Sequence, residues 1–335
     1  MRHYLNTYKR IKTLSDRPSI ILALAVCLSC WVAGYIYSLG FPLAEYSAVL
    51  PLWGIICKFL GNKLVAYIAG ISAIALVAFV IQRMSDREVL IRERTRLPFI
   101  LFILLISTNS MLLPLREVTV VLLCLVFMVS ELFDTYQSPE EMGRLFNAGV
   151  FIGVAGLFMP QVLLMIPLLW IGMYQFRSLN LKSFAASLTG ILIIYWIVLA
   201  WCVFKSDFSM LTSLFSSIAK IDIYPATFFQ YYRIGLAGVI LLLIMAFFYI
   251  KSDALSNSVR VRMMLSFLLN MSAWPVVLML LYSNEADSFF AILCVPVAIL
   301  AAYFFENIRY RFRFILYYSM LVLWGISFIM QVWRL

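Results

Sequence analysis

The sequence predicts an all-α, polytopic transmembrane helical bundle of about eleven spans, with its N-terminus in the cytoplasm. Three observations predict it. First, 64% of the 335 residues are hydrophobic and only 13% are charged, where a soluble domain holds about 45–50% and about 25%. That leaves too little polar surface to cover the apolar side chains in water, and the same composition excludes disorder. Second, the apolar residues fall in runs of roughly twenty, the length that crosses hydrocarbon at a helical rise of 1.5 Å per residue. Third, lysine and arginine concentrate in alternate gaps between those runs.

The basic tail (Arg2, Lys9, Arg10, Lys12, Arg17) precedes a first run at 19–39. This run is too long for a signal-peptide core and no A-x-A-like site follows it, so it reads as an uncleaved span. Further runs lie at 62–82, 97–114 and 117–133. Those at 145–159 and 161–176 are short and meet at Met159-Pro160, which predicts a tight hairpin or a partial span. The spacing of Gly149, Gly153 and Gly156 offers smooth faces for close helix packing. The remaining runs are 183–204, 233–250, 263–283, 288–305 and 314–333. Asn270, Ser272 and Pro275 interrupt the ninth and predict a kink or an interhelical hydrogen bond.

With the N-terminus inside, nineteen of the 26 Lys and Arg lie on the cytoplasmic side. The outward side holds Lys58, Lys63, Arg116, Lys205, Lys220, Arg233 and Arg334. The whole chain, 1–335, reads as one integral membrane domain. It comprises a seven-span module (1–205), an outward loop (206–232) and four C-terminal spans (233–335). Two outward loops are long. In the first, about 40–61, Tyr46, Leu50, Trp53, Cys57 and Leu60 recur at helical spacing after Glu45. In the other, the fourth outward loop, Phe208, Leu211, Leu214, Phe215 and Ile218 share one face of a predicted helix. Both loops read as amphipathic helices lying in the interface.

The net charge of +10 is accounted for by the positive-inside pattern. No inter-span stretch is long enough for a basic soluble module, so no nucleic-acid partner is expected. A single histidine, His3, sits in the tail, and the six cysteines lie mostly within apolar runs. That excludes a His/Cys metal site and histidine-based nucleophilic catalysis. None of the 16 acids sits mid-span, which weighs against an ion-driven pump, because such carriers keep an intramembrane charge for function.

Chemistry is therefore expected at the outward rim. Glu45 and Tyr46 lie in the first long loop. Arg116-Glu117 occupies the tight turn after the Ser107-Thr108-Asn109-Ser110 run. Asp207, Lys220, Asp222, Tyr224 and Arg233 belong to the fourth outward loop. Carboxylates here suit general-base work on a hydroxyl, or a divalent cation as cofactor. Arginine or lysine suits a lipid-linked phosphate. No dedicated metal ligands are identified.

The stretch LFNAGVFIGVAGLFMPQVLLMIPLLWIGMYQFRSLNLKSFAASLTGILIIYW, with NEADSFFAILCVPVAILAAYFF, resembles an uncharacterised family of multi-pass inner-membrane proteins of Bacteroidota. The likeness covers much of the chain after about residue 95. The layout is also distantly similar to the GT-C superfamily of glycosyltransferases that use polyprenyl-phosphate sugars. The shared features are an inside N-terminus, a long first outward loop carrying an acid, tight hairpins, a second long loop after the seventh span and the A-G-x-x-x-G-x-A-x-L-x-x-P pattern from Ala148 to Pro160. That resemblance implies Glu45 as the catalytic carboxylate, and Arg116, Lys220 or Arg233 as partners of the donor phosphate.

The expectation is a glycosyltransferase-like protein of the bacterial inner membrane. It would move a sugar from a polyprenyl-phosphate donor to an outward-facing envelope acceptor, with membrane lipid and envelope proteins as partners. Two alternatives stand beside it. One is a non-catalytic subunit or scaffold of an envelope-assembly complex, favoured by the single acid in the first loop. The other is a lipid or solute facilitator, which requires a continuous polar path.

Overall fold

A computed structural model describes residues 17–38, 53, 62–91, 95–138, 141–221, 225–252, 258–308 and 310–334. Among them the chain is helical, with twelve α-helices and no sheet. These are α1 (Arg17–Ser38), α2 (Lys63–Arg87), α3 (Leu97–Ser107), α4 (Glu117–Asp134), α5 (Met142–Phe158), α6 (Ile166–Gln175), α7 (Leu181–Lys205), α8 (Ser209–Ala219), α9 (Pro225–Ser252), α10 (Val259–Leu281), α11 (Ala286–Asn307) and α12 (Tyr310–Arg334). Local chemistry sets several starts. The Asn62 side chain accepts from the Leu64 amide to open α2, and Ser258 accepts from Val261 to open α10. Asn180 and Ser183 exchange side-chain and backbone hydrogen bonds as a capping box for α7.

Every predicted apolar run is helical, but not every run is long enough to cross a bilayer. Six stretches are: Lys63–Arg87, Leu181–Lys205, Gly235–Ser252, Val259–Leu281, Ser283–Asn307 and Phe312–Met330. Among the described residues, length and composition thus support a helical bundle with six candidate spans. α4 has the length, yet Glu117, Glu131 and Asp134 interrupt its apolarity. The predicted third run, 97–114, stops being α-helix at Ser107. The reason is local. The Ser107 hydroxyl donates to the Ile103 carbonyl and Thr108 to the Leu105 carbonyl. Asn109 then accepts from the Met111 amide and opens a 3₁₀ turn at Ser110–Leu112. The fifth and sixth runs part at the expected break: α5 ends at Phe158, and a 3₁₀ turn, Pro160–Met165, feeds the ten-residue α6.

α11 is the central column. It is buried without a break from Ser288 to Phe305 and packs on α3, α4, α9 and α10. Between Phe289 and Ala302 it presents only apolar side chains, Pro296 and Cys294 included. α7 lies at the opposite extreme, on the periphery. Trp196 is 70% exposed and Phe204 83%, an uncovered apolar face of the kind hydrocarbon covers. α7 is held by glycine contacts. A Cβ on Gly149 would stand 2.2 Å from the Ser187 carbonyl oxygen, and one on Gly190 2.2 Å from that of Phe146. The predicted bond in the ninth run exists too: the Asn270 amide donates to Gln175 Oε1 at 3.5 Å, with Pro275 inside α10.

Candidate functional site

The predicted rim residues divide between one polar end of the bundle and positions outside the described residues. α4 begins at Glu117, with Arg116 in its extended N-cap position. Negative charge in the first turn of a helix is favoured by the unpaired amides there, and Asp287 occupies the same place in α11. The Arg116 guanidinium lies 3.6 Å from Glu117 Oε1, both side chains about three-quarters covered. Glu285, from the 3₁₀ turn before α11, lies within electrostatic range of Arg116, Glu117 and Asp287, and the Ser288 hydroxyl donates to it at 3.3 Å. The buried Asn109 donates to Asp287 Oδ1 at 3.0 Å. One arginine thus stands among acids from two helix N-termini.

α8 docks at this end. It packs on the Pro160–Met165 turn and the end of α7, with Leu214 buried and Phe208 and Phe215 exposed. The Gln161 amide donates to the Ser217 carbonyl at 3.5 Å. The Tyr282 hydroxyl donates to the Ile218 carbonyl at 2.6 Å, three residues before Glu285. Exposed Lys220 follows Ile218 by two residues and C-caps α8. Asp207 stands at the other end of α8 and is fully exposed. It accepts from the Ser209 amide at 2.9 Å, and the Ser209 amide and hydroxyl hold its carboxyl below the usual range. Asp207 thus closes an Asx turn just ahead of α8. Trp53, from the first long loop, is buried edge-on against Phe158, with ring centroids 6.3 Å apart. Glu45, Tyr46, Asp222 and Tyr224 lie outside the described residues, as does the rest of the predicted amphipathic helix near 40–61. Arg233 falls on α9, but its side chain is outside them.

The opposite end carries a polar network absent from the predicted site. Glu88 is only 6% exposed. It receives Arg260 Nη2 at 2.6 Å, while Arg260 also lies over the Tyr136 ring. Asp134 takes Arg87 at 2.9 Å and also Arg144, which pairs in turn with Glu141. These bonds tie α2, α4, α5 and α10 together. Burial pushes the Glu88 carboxyl above the usual carboxylate range, with Arg260 opposing the shift and Asp134 adding to it. The chain reaches this network through a strained turn. Val89, φ 50°, follows α2 in the left-handed position that glycine normally takes, and Leu90 closes the turn onto the Ser85 carbonyl. Among the described residues, no three His, Cys, Asp or Glu side chains are placed to hold a metal ion.

Residues 46–335 match the sequence model of DUF6427, a family of unknown function. The chain belongs to the DUF6427 family. No curated protein and no solved structure matches it. The match starts about fifty residues before position 95, the expected start of the family likeness. Every described rim residue of this DUF6427 chain lies inside it, while Glu45 falls one residue before its first position, Tyr46.

Asn109, Glu285 and Asp287 were not among the predicted site residues. Each is plain in the sequence as a polar group near a span end. What is not plain is the pairing, since Asn109 and Asp287 are 178 positions apart. The signal that bore on them was the placement of Arg116, Glu285 and Asp287 on the same side by the alternation of basic gaps.

Proposed function

We propose that this DUF6427 protein is a polytopic protein of the bacterial inner membrane, with all eleven apolar segments embedded, its N-terminus inside and its Arg116 end facing outward. At that end it acts as a glycosyltransferase-like enzyme on a polyprenyl-phosphate-linked sugar. The observation that carries this reading is the placement of Arg116 beside Glu117 and Glu285 at the end where the amphipathic α8 docks. A cation at that depth suits a lipid-linked phosphate, and α8 lies where a lipid-borne donor would pass.

In this mechanism an acceptor hydroxyl attacks the anomeric carbon. The bond from that carbon to the phosphate oxygen breaks as the new glycosidic bond forms. The hydroxyl proton passes to a carboxylate, assigned to Glu45, and the charge gathering on the departing phosphate is stabilised by Arg116. Lys220, Asp222, Tyr224 and Arg233 are assigned to the donor and acceptor side, with Tyr46 beside Glu45. A divalent cation would be held by rim carboxylates such as Glu117 and Glu285 and would supply positive charge for the phosphate.

The test is donor turnover by the purified protein in liposomes against a panel of polyprenyl-phosphate sugars. Wild type should consume one donor, and Glu45→Gln and Arg116→Gln should each lower turnover by about a hundredfold. Turnover that survives both substitutions unchanged, or no turnover of any donor by wild type, would overturn the enzymatic reading.

One observation favours the subunit reading as runner-up: Arg116 is already paired with Glu117, as a structural anchor would be. It predicts a stable envelope-protein partner that co-purifies equally with wild type and with Glu45→Gln. The facilitator reading is less favoured, because the centre of the bundle is filled by the apolar column of α11.

A further inference from the structure

At the end opposite Arg116, the polar network brings two carboxyls together. Glu88 C-caps α2 and Asp134 ends α4, and their side chains are only 3% and 8% exposed. One guanidinium spans both: Arg87 Nε lies 4.0 Å from Glu88 Oε1, and its Nη2 lies 2.9 Å from Asp134 Oδ2. The two carboxyls are within hydrogen-bond reach of each other. Ionised carboxylates are acceptors only, so a hydrogen bond between two of them needs a proton on one. Two like charges this close also disfavour double ionisation.

The charged groups around this pair come from four elements. Arg260, on α10, reaches Glu88 Oε2 at 2.6 Å and lies over the Tyr136 ring. Arg144, on α5, reaches Asp134 Oδ2 and pairs with Glu141. Glu131, one turn earlier on α4, lies within electrostatic range of Arg144, Asp134, Arg87 and Glu141. Arg87 and Arg144 are thus each divided between acids. Burial raises the Glu88 carboxyl and Asp134 adds to the shift, against the pull of Arg260 and Arg87.

The pair also fastens the turn that follows α2. The Glu88 amide bonds back to the Met84 carbonyl at 3.1 Å and the Leu90 amide to that of Ser85 at 3.2 Å, with the Leu90 side chain buried. Between them Val89 stands at φ 50° with its side chain exposed, so backbone strain favours release of the turn.

We propose that Glu88 and Asp134 share one proton and act as a pH-operated latch on this turn. In the closed state the protonated Glu88 donates to Asp134 while its other oxygen accepts from Arg260, so α2, α4 and α10 are tied at one point. As the pH rises the proton leaves to water. Two carboxylates then face each other, Glu88 moves away with Arg260, and the turn from Glu88 to Ile91 opens. Asp134 stays with Arg87 and Arg144. The latch lies at the other end of the molecule from the rim and shares no residue with it, so it is independent of the transferase reading.

The experiment uses the full-length protein in nanodiscs. Amide hydrogen exchange of segment 85–91 is followed by mass spectrometry from about pH 5 to about pH 8, corrected for intrinsic exchange chemistry. The opening equilibrium of that segment should rise by at least about tenfold across the range, while segment 289–302 of α11 stays unchanged. Infrared spectra over the same range should show a protonated carboxyl that disappears as the turn opens. Glu88→Gln, whose amide donates to Asp134 and whose carbonyl accepts from Arg260, should hold the turn closed at every pH and lack that carboxyl band. Asp134→Asn, which offers its amide to Glu88, should also remove the pH dependence. If it does not fold, Glu88→Gln and the infrared band decide the matter. Glu306→Gln removes a buried acid paired with Arg313 and should leave both readouts as in wild type. Exchange that ignores pH in wild type, or a pH dependence that survives in Glu88→Gln, overturns the latch. So does opening without loss of the carboxyl band.

Discussion

Asn109 and Asp287 are joined by a 3.0 Å hydrogen bond that links the end of α3 to the first turn of α11. Asn109 is 1% exposed, so its amide has no water to fall back on, and a buried polar group without a partner is costly. The bond orients the start of the central helix, and with it the neighbouring Glu285. Asn109→Leu should destabilise the protein by about 1–2 kcal/mol. A double-mutant cycle with Asp287→Leu, read by unfolding in detergent, should return a favourable coupling of about 1 kcal/mol. Strict additivity would mean that the bond contributes nothing.

Glu88 gives stability a pH dependence of definite sign. Its carboxyl is raised above the ordinary carboxylate range, chiefly by burial. The folded state therefore binds this proton more readily than the unfolded state. The cost of ionised Glu88 is fully present above its folded pKa and vanishes below the ordinary value. Acidifying from neutrality into the carboxylate range should thus stabilise wild type through this group. Glu88→Gln, which keeps a carbonyl for Arg260, should flatten thermal stability over that window. An unaltered slope in the variant would assign the dependence elsewhere.

Val89 is β-branched and sits at φ 50°, a conformation that costs an L-residue about 1–2 kcal/mol. Its side chain is 60% exposed, so little packing offsets that cost. Val89→Gly should raise stability by about 1 kcal/mol, measured as a higher unfolding temperature. A lower one would mean that the Val89 side chain supports the Glu88 turn.

Gly190 is, with Gly149, one of two equally tight points between α5 and α7; a methyl group on it would lie 2.2 Å from the Phe146 carbonyl oxygen. Both contacting atoms belong to backbone, so relief requires the helices to separate. Gly190→Ala should cost about 1–3 kcal/mol. The same change at Gly143, where a methyl meets nothing within 4 Å, should cost under about 1 kcal/mol. Equal effects would show that the helix pair is not held by this approach.

The positions of the helices were legible because the information is local. The apolar runs and the Met159-Pro160 break act over a few residues each. So did the amphipathic α8, whose buried Leu214 is one of the residues predicted for its apolar face. Helix length was read less well. The 97–114 run is uniformly apolar as far as Ile106, and hydropathy does not register that Ser107, Thr108 and Asn109 turn their side chains onto the backbone.

The sequence by itself determined that the chain is an all-helical bundle with apolar outer faces, and which polar groups lie near helix ends. Hydrophobicity and capping are properties of short segments, so no partner is needed to read them. Only the tertiary structure decided that α11 is the buried column, that Asn109 meets Asp287, and that Glu88, beside its neighbour Arg87, also meets the distant Arg260. Those pairings depend on how helices far apart in sequence cross, and each cation near a helix end could have met several acids. Packing selected among them.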